Sequence, residues 1–535
     1  MATPGPPVTP SPTAGPSNRS TPRHARSRSS AATARPSRSR STPAENSTPI
    51  WRRRYIDGVS RVAAKLFIDG EARDTGAALE VPSRWGAGVA SRCALGGATE
   101  IDQAIAAAEL AHGLGPAPLH DRTTLLRRAS AEIDRRAEDF ARVILAESGK
   151  TISDARTEVS RAVETLRVCA EEAPRALSEA ALPLDSSARG GLHRAQTRRV
   201  ACGAVSLITP FNFPLNLVAH KVGPAIAAGC PWVLKPSEKT PATALMLGEV
   251  LVACAAGRGW SIVPALPADA GALITDDRPA ALSFTGSAEV GWRLRALAGR
   301  KKVVLELGGN AFAVVMRDAD LELAAERIVF GAFANSGQSC ISVQHALVEH
   351  GVYEGVRDRI VARVASLHAG DPNDERTNVG PMIDEPAAVR LEAWIHDALE
   401  RGAKALIRGE RRGNLMTPWV LEDVPWDSTL ARCEAFGPVV CLSAFAGFED
   451  AAARVNASAF GLQCGVFTRD LDTAHRAWDV LRVGAVVIND APTFRVEAMP
   501  YGGVKASGLG REGPFDAIRE FTEPRLMIVR GAGRA

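Results

Sequence analysis

The sequence predicts an α/β protein organised around a doubly wound parallel sheet. Two observations carry that prediction. From Tyr55 onward, short β-branched runs alternate with stretches of helical period, in the β-α-β-α-β order that a parallel sheet requires. The chain is also long: 535 residues, 46% hydrophobic and 23% charged, enough for two or three globular cores.

The elements follow in order. "SDARTEVSRAVETLRVCAEEA" sets Ala155, Val159, Ala162, Val163, Leu166 and Cys169 on one helical stripe. "ACGAVSLITP" and "CPWVLKP" read as buried strands. "LNLVAHKVGPAIAAG" between them reads as a helix, with Pro224 as an expected kink. "TPATALMLGEVLVACAAG" reads as a helix ending at glycine, and "AALSFTG" and "KKVVLELGG" as further strands. After Gly309 a second alternating set begins: "NAFAVVM", a helix around "LELAAERIVFGAFANSG", then "QHALVEH" and "GAVVIND".

Residues 1–54 differ from the rest. They are Pro, Ser, Thr, Ala and Arg with almost no large apolar residue, so they cannot offset the entropy of ordering and are expected to be disordered. Ten arginines against Glu45 give this tail +9, which leaves −5 on the remainder of a chain whose net charge is +4. A transit peptide, a polybasic arm, a regulatory tail and a dispensable extension are all compatible with that composition. No uncharged apolar run approaches the ~18 residues of a membrane span. The nine cysteines are scattered and form no CxxC pair, which speaks against zinc or any other metal site and against a disulfide framework. A reducing, cytoplasmic setting fits them, and most should be small core residues.

Five short motifs carry chemistry. In "LSFTGSAEVGWRL", Gly286 and Gly291 bracket a helix start, where free N–H groups suit a pyrophosphate. In "VLKPSEKTP", a strand ends in Lys235, followed by Ser237 and Glu238, placed where ligands bind in doubly wound sheets. Each has an ordinary alternative, a strand-to-helix glycine and a solvated turn. In "LELGGN", Glu306 closes an apolar strand, where desolvation raises a carboxyl group toward the range of a general base. In "TPFNFP", Asn212 sits between aromatics and prolines, rigid enough to aim an amide at an oxyanion. In "FANSGQSC", Cys340 follows a glycine turn. A thiolate is a strong nucleophile, although a lone cysteine is more often core.

Taken together, Asn212, "KPSE" at 235–238, Gly286–Gly291, "ELGG" at 306–309, Cys340 and "EAFGP" from Glu434 resemble the non-phosphorylating, NAD(P)-dependent aldehyde dehydrogenases. The resemblance runs from about Lys65 to Arg530, and takes in "AESGKTISDARTEV" and "PYGGVKASGLGREG". It implies an NAD(P)-binding domain at 55–182 and 202–308, a catalytic α/β domain at 309–516, and a small β oligomerisation arm at 183–201 and 517–535. By the same resemblance Cys340 is the nucleophile, Glu306 the general base and Asn212 the oxyanion-hole amide. The cofactor would meet Lys235, Ser237, Glu238, Gly286, Ser287, Gly291, Leu307, Glu434 and Phe436, with NAD preferred and NADP possible. The substrate tunnel would be lined by Phe213, Leu217, His220, Ser339, Ile341, Arg495 and Tyr501. The expected product is a carboxylic acid, and the expected substrate a small polar or anionic aldehyde: a hydroxy-aldehyde, a semialdehyde or phosphonoacetaldehyde. The ending is most similar to the lactaldehyde and phosphonoacetaldehyde branch. A homodimer or homotetramer is expected, with no nucleic acid or membrane partner. A thiol hydrolase or acyltransferase without redox cofactor, and a non-catalytic binding protein on the same fold, are the rival readings. Cys433 before Glu434, where relatives are commonly acidic, and Ala201 in place of a proline depart from the family pattern.

Overall fold

The structure is a computed structural model that describes residues 63–531. The tail at 1–54 lies outside the described residues.

The first sheet is built on five parallel strands: Val205–Ile208, Trp232–Lys235, Trp260–Ile262, Ala281–Thr285 and Lys302–Glu306. Antiparallel strands Leu66–Ile68 and Glu71–Arg73 extend one edge, and Gly508–Leu509 the other. Successive residues of a strand face opposite sides. Val205, Leu207 and Leu234 therefore enter one core with helices Leu119–Arg135, Ile152–Ala176, Asn216–Ala228 and Ala242–Ala253. Ile208, Val233, Leu282 and Leu305 enter another with Ile101 and Ile105 of helix Ala98–Leu114. Helices on both faces make the sheet doubly wound, as the sequence predicts. Its strand order reverses between Val205–Ile208 and Ala281–Thr285. That switch point opens a crevice beyond the carboxyl ends of the strands.

The second sheet has seven strands. Its parallel centre includes Ala311–Val315, Val343–Glu349, Val439–Phe445 and Gln463–Phe467. Helix Leu321–Phe333 makes the crossover between the first two, and its chain then runs through Cys340 before entering Val343–Glu349. A third, antiparallel sheet joins Ala180–Leu182, His193–Ala201 and Thr522–Arg530. Residues 523–530 of its edge strand are exposed, including Leu526, Met527, Ile528 and Val529.

Three local expectations are revised. Helix Ala242–Ala253 does not end at glycine; Ala255 takes the left-handed conformation (φ 57°) and Gly257 follows two residues later. Helix Pro514–Glu520 runs through residue 517, where the sequence reading begins the arm. It packs on Ile152–Ala176 and Asn216–Ala228, with Ile518 in their core, because its apolar residues cover their ends. The strand Ala180–Leu182 joins the arm sheet ahead of the expected start at 183.

One close contact sets the spacing of the helices beneath the site. A Cβ on Gly223 would lie 2.8 Å from Cys169 Sγ and 3.3 Å from Leu166 Cδ2. Gly223→Ala should therefore destabilise the fold by about 1–3 kcal/mol through overpacking. Thermal melts check this, and adding Cys169→Ala should restore part of the lost stability.

Candidate active site

Cys340 stands at the end of a strained turn. After helix Leu321–Phe333, three successive residues adopt positive φ: Asn335 (50°), Ser336 (55°) and Gly337 (70°). Such a run is costly for residues other than glycine and persists only when neighbours over-determine it. They do. Asn335 N–H donates to Asp154 Oδ2 at 3.0 Å, and Ser336 Oγ donates to the Gly380 carbonyl at 2.8 Å. Gln338 Oε1 accepts from Ile383 N–H at 2.9 Å. A Cβ on Gly337 would collide with the carbonyl oxygen of Gly437.

Asn212 reaches the same turn from the first sheet. Its Nδ2 donates to the Gln338 carbonyl at 3.0 Å, and Asn335 Nδ2 donates to that carbonyl at 3.1 Å and to the Asn212 carbonyl at 3.3 Å. The side-chain amide thus keeps one hydrogen beside Cys340. Its loop is held by a fully buried ion pair, Lys150 Nζ to Glu158 Oε2 at 2.5 Å. Glu158 Oε1 accepts from the N–H groups of Leu215 and Asn216, and the Lys150 ammonium lies 3.8 Å over the Phe213 ring.

Glu306 ends its strand buried, at 2% exposure, with neither carboxylate oxygen hydrogen-bonded. Burial first, and the Glu512 carboxylate second, push it well above the ordinary carboxylate range. Glu512 is itself held by Lys221 at 2.6 Å. A Cβ on Gly502 would lie 2.9 Å from Glu306 Oε1, so a side chain there would crowd the carboxylate. The Cys340 thiol is pushed up to about 12 by burial, against a hydrogen bond with Tyr501 that lowers it.

A cavity of about 390 Å³ connects these groups. It is lined by Asn212, Phe213, Leu217, Gly286, Ser287, Glu306, Leu307, Ser339, Cys340, Ile341, Glu434, Phe436, Arg495 and Tyr501, so the fold gathers fourteen sequence-predicted residues. His220 is not among them. It is buried one layer behind the wall, where its ring contacts Glu497 Oε2 at 2.5 Å and Arg495 Nη2 at 3.1 Å. Burial and the Arg495 charge lower its basicity. Gly291 also lies off the cavity: it leaves room for Leu307, whose side chain would meet a Cβ there. Lys235, Ser237 and Glu238 sit past the next strand end, outside this cavity, with Lys235 Nζ paired to Glu238 Oε2 at 3.1 Å.

The nicotinamide end of a dinucleotide fits the residues present. Glu434 Oε1 accepts from Gly309 N–H at 2.9 Å, and a Cβ on Gly308 would strike Glu434 Oε2. One carboxylate oxygen is thus anchored, the other free for a ribose hydroxyl. Burial raises this carboxyl to about 7. Phe436, itself at φ 50°, lies edge-on to Phe211 with centroids 5.9 Å apart. Ser287 caps helix Ala288–Leu297 by accepting from Val290 N–H, and with Gly286 it brings that helix start to the cavity, where its remaining N–H groups suit a pyrophosphate.

The sequence reading missed Asp154, Glu158 and Arg161. They lie on one face of helix Ile152–Ala176 and line the cavity. The signal was available: polar residues at 154, 157, 158, 161 and 165 repeat at helical spacing beside the apolar stripe.

With that geometry in view, comparison with known proteins is decisive. The sequence profile of the aldehyde dehydrogenase family matches residues 71–527. The chain belongs to the aldehyde dehydrogenase family. It is 39% identical over 468 residues to 3-sulfolactaldehyde dehydrogenase of Priestia aryabhattai, covering 87% of this chain and 97% of that protein. Aldehyde dehydrogenase 21 of Physcomitrella patens, solved with its reaction product succinate, superposes with a TM-score of 0.86 at 40% identity, over 89% of this chain and 100% of that one. An NAD-dependent aldehyde dehydrogenase of Sinorhizobium meliloti gives 0.85 at 32%, over 89% and 96%. This aldehyde dehydrogenase oxidises an aldehyde with NAD(P).

Two substitutions test the assigned chemistry. Cys340→Ser should abolish oxidation while leaving cofactor binding intact, because an alkoxide is far harder to form than a thiolate. Glu306→Gln should give a burst of NADH and then slow turnover. With Glu306 as the expected base, the hydrolytic step in the unsubstituted enzyme should fall as pH drops through the raised range of that carboxyl, since protonation removes its lone pair. Stopped-flow traces at several pH values check both.

Proposed function

We propose that this dehydrogenase acts on small aldehydes whose far end carries a single negative charge, with Cys340 as nucleophile, Asn212 as oxyanion donor and Glu306 as general base. The observation that carries the substrate reading is Arg495. Its guanidinium is at the cavity wall, and no carboxylate lies within ion-pair distance of it among the described residues. Glu497, the neighbour most able to neutralise it, is instead engaged by Arg161 Nε at 2.6 Å and by His220. A planar fork facing a cavity suits a carboxylate or sulfonate. Ser339, not an arginine, precedes the nucleophile, which speaks against a doubly charged phosphate. The relatives named above, acting on 3-sulfolactaldehyde and yielding succinate, handle molecules with such anionic ends.

The chemistry follows from the placement. The Cys340 sulfur attacks the aldehyde carbon, and the resulting oxyanion takes the free Asn212 amide hydrogen as a hydrogen bond. Glu434 and Phe436 orient the nicotinamide end of the cofactor, which when bound supplies the two-electron acceptor. The thioester left on Cys340 is attacked by water, whose proton passes to Glu306. The carboxylic acid leaves and the thiolate is restored. NAD is the preferred cofactor in this reading, because the Glu238 carboxylate would repel a 2′-phosphate, although Lys235 stands beside it. The exposed edge strand Thr522–Arg530 is the surface on which we place the homo-oligomer, and the nine free thiols fit a cytoplasmic setting.

Arg495→Leu should lower kcat/KM for succinic semialdehyde by roughly 10- to 100-fold more than it lowers that for butanal, the extra loss being that of a charged hydrogen bond to the substrate. Equal losses on both substrates, or an unsubstituted enzyme that prefers butanal, would show that Arg495 does not bind the anionic end of the substrate.

A further inference from the structure

One contact in the cavity is not used by the chemistry above. The phenol oxygen of Tyr501 lies 3.1 Å from Cys340 Sγ, and no other hydrogen bond to that sulfur is present among the described residues. Tyr501 is rigidly placed. It is 3% exposed and packs with Ile341 and Leu462. Its N–H donates to the Glu512 carbonyl at 2.8 Å, and its carbonyl accepts from Glu512 N–H at 2.6 Å. The Arg495 guanidinium carbon lies 3.7 Å over its ring.

We propose that Tyr501 is a catalytic residue whose O–H donates to the Cys340 sulfur and stabilises its thiolate, both before attack and as the leaving group of hydrolysis. The proposal rests on Cys340 being the nucleophile. The sulfur otherwise faces unfavourable surroundings for charge. Glu306 at its strand end and Glu434 from the loop before Val439–Phe445 both present carboxyl groups to it, and Glu512 stands behind Glu306. The favourable groups are Arg495, from the loop before Tyr501, and Tyr501 itself, and only Tyr501 makes a hydrogen bond to the sulfur. A charge-assisted hydrogen bond strengthens as the sulfur ionises. A cation over the ring face withdraws electron density from the phenol and makes its O–H the better donor. Burial, the Cys340 sulfur and Glu306 hold the phenol's own proton well above its ordinary range, so Tyr501 keeps that proton throughout. The thiol proton leaves to Glu306 or water; in alkylation by iodoacetamide the S–C bond forms as iodide departs.

The test is the rate at which iodoacetamide alkylates Cys340, followed by mass spectrometry of its peptide, across the neutral to alkaline range. Tyr501→Phe keeps the ring and removes the donor. Its log rate against pH should fall below that of the unsubstituted enzyme by up to about 10-fold at each pH, equivalent to a one-unit rise of the thiol. Cofactor binding should be unchanged. A second measurement does not depend on that variant folding. The chain has three tyrosines, and replacing them biosynthetically with 3-fluorotyrosine strengthens the O–H as a donor and should accelerate alkylation. The same replacement in Tyr501→Phe should do nothing. Fluorotyrosine enzyme that is alkylated no faster than the unsubstituted enzyme would overturn the role, as would superimposed profiles for Tyr501→Phe and the unsubstituted enzyme or a fluorotyrosine effect that survives the loss of Tyr501. Activity that survives full alkylation of Cys340 would instead defeat the nucleophile assignment.

Discussion

The site depends on one backbone constraint, the left-handed run Asn335–Ser336–Gly337. It bends the chain sharply between helix Leu321–Phe333 and strand Val343–Glu349, so that Cys340 faces the first sheet rather than continuing into the second. Two non-glycine residues in that conformation store strain, and the turn holds only because partners from elsewhere close on it. Asp154 comes from helix Ile152–Ala176, Asn212 from the loop after strand Val205–Ile208 of the first sheet, and Gly380 and Ile383 from the loop before helix Glu385–Glu400. Cys340, Asn212 and the junction of the two sheets are therefore one mechanical unit.

The same unit explains why buried charge is tolerated beneath it. Lys150 and Glu158 are fully enclosed, an arrangement whose desolvation is expensive unless every lone pair finds work. Here Glu158 uses its second oxygen on two backbone N–H groups, and Lys150 rests on the Phe213 ring. The pair thus fixes the segment that follows Asn212. Glu306 is the contrasting case. Its carboxylate has no hydrogen-bond partner, and that deprivation raises its proton affinity toward the range a base needs. Partnered charge positions, while unpartnered charge reacts.

The cavity wall shows how a second layer sets the character of the first. Glu497 does not line the cavity, yet because Arg161 and His220 engage its carboxylate it leaves Arg495 without a carboxylate partner. Arg495 in turn lies against the ring of the tyrosine that touches the nucleophile. The cavity wall and the surroundings of the thiol consequently meet in one guanidinium.

The sequence by itself determined what local chemistry can determine. Short β-branched runs and glycine-bounded turns placed the parallel strands, and the joint resemblance of their motifs to one family singled out Asn212, Glu306 and Cys340. It could not decide which side chains share a wall. His220 lies on the helix after Asn212 as a lining residue would, but a helix turn points it at Glu497. Gly291 has the spacing of a phosphate-loop glycine, but Leu307 needs its missing Cβ. Asp154, Glu158 and Arg161 gain their meaning from loops far away in the chain, and the contact between Tyr501 and Cys340 spans 161 residues. Such pairings are fixed only when two separately folded layers are pressed together, because orientation and burial belong to the assembled packing and not to any segment of the chain.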